Sequence, residues 1–92
     1  MLMKKILLFG AGKSASVLID YLLKNANKEN WRLTLVDADL QLAQSRIGNS
    51  PHGIALSFDI NNEVERKKNI EQADIVISLL PPALHYIVAQ DC

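Results

Sequence analysis

The chain has 92 residues, 49% hydrophobic and 22% charged, with a mean hydropathy just above zero. This is the composition of a single core-forming domain, typically roughly 100–150 residues, and it excludes disorder driven by low hydrophobicity or high net charge. Ten basic and ten acidic residues cancel, so the chain lacks the broad attraction to nucleic acid or to an anionic membrane that a basic protein would have.

Ile6-Leu7-Leu8-Phe9 is a continuous apolar run ended by Gly10 and Gly12, the pattern of a strand buried on both faces. It is shorter than the roughly 7–15 residues of a secretory signal core, and a glycine motif follows it instead of a cleavage site. Ala15, Leu18, Ile19, Leu22 and Ala26 recur at spacings of three and four, which predicts a helix over about Ser14–Asn25, closed by the polar stretch Asn25–Asn30. Leu33–Val36 is the second strand, ending at Asp37, and Leu40, Ala43 and Ile47 mark a second helix with Gly48 at its C-terminus.

Turn residues Asn49–Gly53 lead to a third strand, Ile54–Phe58, whose lower apolarity places it near an edge. Asn61 or Asn62 caps a charge-rich third helix, in which Glu63 and Lys67 are four apart and Arg66-Lys67-Lys68 reads as a solvated face. Ile75-Val76-Ile77, running on to Leu80, is the fourth strand, and Pro81-Pro82 opens a last helix with Leu84, Ile87 and Val88 as its apolar stripe. Crossovers between parallel strands are right-handed in ~98% of cases. The alternation therefore predicts an α/β, doubly wound parallel sheet (Rossmann-like) with strand order 3-2-1-4. Dinucleotide folds hold about six strands, so this chain is expected to be an incomplete, N-terminal portion of a longer protein, residues 1–92 forming its dinucleotide-binding part.

The single cysteine, Cys92, excludes an internal disulfide framework and a cysteine-rich zinc site, and it suits a reducing, cytoplasmic location. No apolar run approaches the ~18 residues that span a bilayer.

Gly10-Ala11-Gly12-Lys13-Ser14-Ala15 fits G-x-G-x-x-G/A between a strand and a helix. Gly10 permits the tight turn, Gly12 lets backbone approach a pyrophosphate, and Ala15 is small enough for helix to pack on strand. The first helical turn then presents its N–H groups and dipole to an anion. Asp37 ends the second strand, 27 residues after Gly10. There a carboxylate accepts hydrogen bonds from the adenosine ribose and repels the 2′-phosphate of NADP, which favours NAD while leaving NADP open. A bare strand–helix turn with Asp37 exposed in a loop is the structural alternative. Gly12-Lys13-Ser14 also resembles the end of a triphosphate-binding loop, but Leu7 stands where that motif requires glycine. Asp59 falls where such folds approach the adenine, and equally where an aspartate would start a helix. Leu79, Leu80 and Pro81 follow the fourth strand at the ligand-binding edge. His52, His85, Trp31 and Tyr21 carry no distinct catalytic or binding signal, and Asp20 and Asp74 read as solvent-facing.

Lys5 to Lys13, Asp59, and above all Ser78-Leu79-Leu80-Pro81-x-x-x-His85-x-x-Val88 resemble the saccharopine dehydrogenase family, most closely its glutamate-forming branch, over essentially the whole chain. The resemblance implies an NAD(P)-dependent oxidoreductase of lysine metabolism acting on the C–N bond of saccharopine. The amino-acid substrate and the catalytic groups would then be held by a later domain, so these residues alone would bind cofactor without turning over. NADP-using members are expected to carry a basic or small residue near the end of strand two, where this sequence has Asp37 and Asp39 around Ala38. The competing reading is a non-catalytic NAD-sensing module of the kind that regulates potassium transport, which also shows a glycine loop and a second strand ending in acidic residues. A packing domain without a ligand is the third. An apolar side left uncovered at strand four makes a homo-oligomer a further expectation.

Overall fold

The computed structural model describes residues 3–10, 15–59, 61–79 and 88–90. Within them run β1 (Lys4–Phe9), α1 (Ser16–Glu29), β2 (Trp31–Val36), α2 (Leu40–Ile47), β3 (Gly53–Leu56), α3 (Glu63–Gln72) and β4 (Ile75–Ser78), and residues 88–90 are helical as well. All strand pairs are parallel, in the order β3-β2-β1-β4. This is the doubly wound, Rossmann-like sheet that the period switching predicts.

The central strand decides the layering. Ile6 and Leu8 point to one face, where they meet Leu33 and Leu35 of β2, Ala15 beside α1, Ile19 and Leu22 of α1, and Ala43 and Ile47 of α2. Leu7 and Phe9 point to the other and meet Val36, Ile70 of α3 and Val88, with Phe58 edge-on to Phe9 at 6.3 Å between ring centroids. A strand buried on both faces reads as an unbroken apolar run, which is why β1 shows no alternation. At Gly53 helix and sheet approach so closely that a Cβ would stand 2.8 Å from Ile47 Cδ1 and 2.9 Å from Leu23 Cδ2.

Several boundaries differ from the sequence expectation, each for a local reason. α1 continues past Asn25 to Glu29, because Ala26 extends the buried stripe of Ile19 and Leu22 while Asn25 Nδ2 donates back to the Tyr21 carbonyl at 2.8 Å. Asn30 then closes the helix in the left-handed region (φ 58°, ψ 53°), its N–H reaching the Ala26 and Asn27 carbonyls, and β2 starts at once, at Trp31 rather than Leu33. Half-buried Trp31 packs against the α1–α2 core. β3 spans Gly53–Leu56 instead of Ile54–Phe58, since Phe58 leaves the sheet for its contact with Phe9. Asn62, not Asn61, caps α3, accepting from the Glu65 N–H at 3.2 Å.

The basic run of α3 is solvated only in part. Lys67 pairs with Glu63 at 2.6 Å on the exposed side, but Arg66 is buried, four residues from buried Ile70. The methylene stem of an arginine can cover apolar surface, and α3 otherwise offers the sheet little apolar bulk. The expected helix start at Pro81-Pro82, with Leu84 and Ile87, lies outside the described residues. The described end of its stripe, Val88, is 2% exposed and belongs to the second core.

Candidate cofactor site

The strands finish level. Leu56, Val36, Phe9 and Ser78 form one row across the sheet, and the ladder carries one residue further. The Gly10 N–H donates to the Val36 carbonyl (2.8 Å), the Asp37 N–H to that of Leu56 (3.2 Å) and the Leu79 N–H to that of Phe9 (2.9 Å). Three residues picked from sequence, Gly10, Asp37 and Leu79, therefore stand along the carboxyl edge, where open α/β sheets bind ligands. Gly12, Lys13, Ser14, Leu80 and Pro81 lie outside the described residues, as does His85.

Gly10 has φ +102°, and a Cβ there would touch the Leu79 carbonyl carbon and oxygen at 3.4 Å. That contact is tolerable; the backbone angle is what calls for glycine. Ala15 precedes α1, is 1% exposed and packs in the core with Ile6 and Leu8, which is the small-residue role the motif needs. It also brings no side-chain oxygen to cap the helix, and the first turn of α1 holds no acidic residue, so nothing there competes with an anion by charge.

The loop after β2 is organised by its own acceptors. Asp37 Oδ1 accepts from the Asp39 N–H at 2.9 Å, Asp39 Oδ1 accepts from the Leu42 N–H at 3.2 Å and so caps α2, and Ser57 Oγ donates to the Ala38 carbonyl at 3.0 Å. These donors are turned inward, while two carboxylates flank Ala38. The set matches ribose hydroxyls, which need acceptors. Asp59 lies beyond β3 on this same side, but its Oδ1 accepts from both the backbone N–H (2.9 Å) and Nδ2 (3.2 Å) of Asn61. Its carbonyl takes the Asn62 N–H at 2.7 Å, so Asp59 builds the turn that starts α3. Sequence reasoning passed over Ser57, because it fell inside the expected strand Ile54–Phe58, belongs to no motif, and has its partner 19 positions away.

Ser78 ends β4 with its Oγ buried and, among the described residues, without a hydrogen-bond partner. A depression lined by Lys5, Leu7, Thr34, Asn69 and Gln72 sits at the amino end of the sheet, away from the edge just described. Among the described residues no helix is long and apolar enough to cross a membrane.

Comparison with known proteins points to a single family. The chain is 34% identical over 86 residues to saccharopine dehydrogenase [NADP(+), L-glutamate-forming] of Schizosaccharomyces pombe, covering 94% of this chain and 18% of the relative. It is 29% identical over 90 residues to the mitochondrial alpha-aminoadipic semialdehyde synthase of Bos taurus, covering 97% of this chain and 9% of the relative. The chain thus spans less than a fifth of either relative's length. Among solved structures, the apo L-Glu-forming saccharopine dehydrogenase of Saccharomyces cerevisiae superimposes with a TM-score of 0.83 at 31% identity, over 96% of this chain and 19% of that one. The family profile for the saccharopine dehydrogenase NADP binding domain matches residues 6–92, a span that takes in most of β1, the glycine motif, the acidic loop and the Ser-Leu-Leu-Pro segment together. With the family profile matching nearly the whole chain and the fold superimposing on a solved relative, the chain belongs to the saccharopine dehydrogenase NADP-binding domain family.

Proposed function

We propose that this chain is the dinucleotide-holding part of an oxidoreductase acting on the C–N bond of saccharopine or a closely related amino acid, and that it prefers NAD to NADP. The observation that carries the reading is the carboxyl edge, where glycine at φ +102° and an acceptor-rich acidic loop stand side by side within a chain of this family. When bound, the nicotinamide supplies the hydride acceptor for oxidation of the secondary amine, and hydrolysis of the resulting imine releases glutamate and aminoadipate semialdehyde. This chain's residues bind and orient the cofactor, and substrate contacts come from a further domain. The family match favours an enzyme over a regulatory NAD-sensing module.

The NAD preference follows from charge. Two like unit charges 4 Å apart cost roughly 4 kcal/mol at an effective dielectric of 20, and exposure of the loop reduces that figure. A discrimination of about one to two orders of magnitude remains once screening is allowed for.

Calorimetric titration of the whole protein with NADH and, in parallel, NADPH tests the reading, with NADH expected to bind at least tenfold more tightly. Tighter NADPH binding overturns the preference but keeps the site, and binding of neither overturns the site itself. NADH binding without saccharopine oxidation would return the regulatory reading. In the active enzyme, Asp37→Ser with Ala38→Arg should move the ratio of kcat/KM for the two cofactors toward NADP by about tenfold or more, since arginine supplies the bidentate phosphate donor that the loop lacks. An unchanged ratio removes Asp37 from selection.

A further inference from the structure

We propose that Ser57 is a positioning residue for cofactor selection, acting on the Asp37 carboxylate through a single peptide unit. The inference rests on the reading of Asp37 as the ribose acceptor and adds the group that aims it. Ser57 Oγ donates to the Ala38 carbonyl at 3.0 Å, and the Asp39 N–H donates to Asp37 Oδ1 at 2.9 Å. That carbonyl and that N–H belong to the same peptide plane. A trans peptide is rigid and carries its C=O and N–H on opposite sides, so gripping one end fixes the direction of the other. The chain of contacts runs from the Ser57 hydroxyl through the Ala38–Asp39 peptide to the Asp37 carboxylate, and each hydrogen bond polarises the next.

The frame on either side is rigid. Asp37 is tied to β3 by its N–H on the Leu56 carbonyl at 3.2 Å, and Asp39 is tied to α2 by the capping bond to Leu42 at 3.2 Å. Between those anchors the Ala38–Asp39 peptide could rotate, and Ser57 is the strut that stops it. Turned the other way, the peptide would withdraw its N–H from the carboxylate and present it outward as a donor, which suits a phosphate better than a ribose hydroxyl. The strut therefore sets the hydrogen-bonding polarity of the loop.

The test measures NADH and NADPH dissociation constants for the whole protein, wild type, Ser57→Ala and Ser57→Thr, each also in an Asp37→Ala background. Ser57→Ala should weaken NADH roughly three- to tenfold, the loss of about one hydrogen bond, and weaken NADPH less, so that the selectivity ratio falls. Ser57→Thr keeps the hydroxyl and should restore both values. In the Asp37→Ala background the effect of Ser57→Ala on the ratio should vanish, because coupled residues fail to add. Equal weakening of both cofactors, no weakening, or an effect on the ratio that persists without Asp37 would each overturn the proposal. If Asp37→Ala alone leaves NADH affinity unchanged, the ribose reading fails and the proposal with it. If Asp37→Ala weakens NADH while Ser57→Ala leaves the ratio intact, only the role of Ser57 falls.

Discussion

Gly10 and Ser78 are neighbours of Phe9, one along the chain and one across the sheet, and they make opposite demands. Gly10 holds φ at +102°, so Gly10→Ala should cost about 1–2 kcal/mol from the backbone alone. It should also displace the turn that opens the glycine motif, weakening NADH more than tenfold; a thermal melt and a titration on one sample check both. Ser78 carries a buried Oγ that has no hydrogen-bond partner among the described residues, and a buried hydroxyl left unsatisfied costs roughly 1–3 kcal/mol. Ser78→Ala should accordingly leave Tm unchanged or raise it, and a clear drop would mean that the hydroxyl has a hydrogen-bond partner beyond those residues. The glycine at position 10 and the place of Asp37 at the end of β2 were legible in the sequence, because both follow from local backbone conformation and from the apolar run that each strand ends. Ser57 was not, since its meaning lies in a contact between two loops that only the folded sheet brings together.

Elements obey the same division between local and tertiary causes. The strand order followed from the alternation of periods and the right-handed crossover, which act through the backbone whatever the side chains. The end of α1 did not follow, because Asn25, Asn27 and Lys28 look like a loop in sequence yet Asn25 and Ala26 are held by the helix itself. Asn30 does the stopping, in a left-handed conformation that asparagine tolerates and alanine resists. Asn30→Ala should therefore destabilise by about 1 kcal/mol, while Asn30→Gly should be neutral or slightly stabilising in chemical unfolding. Equal losses for both would show that the Asn30 side chain, not its backbone angle, closes the helix. Arg66 misled for the reverse reason. Charge marked it as solvated, but in α3 only Arg66 and Ile70 are buried.

For the whole molecule, stability rests on the double-sided burial of β1. Leu8 is fully buried between β2 and the helices of one layer, so Leu8→Ala should cost about 2–5 kcal/mol, a large share of the roughly 5–15 kcal/mol that holds a domain together. Loss of cooperative unfolding in that variant would confirm β1 as the keystone, whereas a drop below 1 kcal/mol would place the core elsewhere. The level finish of the four strands has a consequence for how such a protein can change over time. The described residues that leave the strand ends are tied together in two pairs. Ser57 links the turns after β2 and β3, and the Leu79 backbone lies against Gly10 after β4 and β1. On the proposed reading, the adenosine half of the cofactor meets the first pair and the diphosphate the second. Lineages could then exchange one cofactor for another by rewriting the first pair, with the reacting end of the molecule left undisturbed.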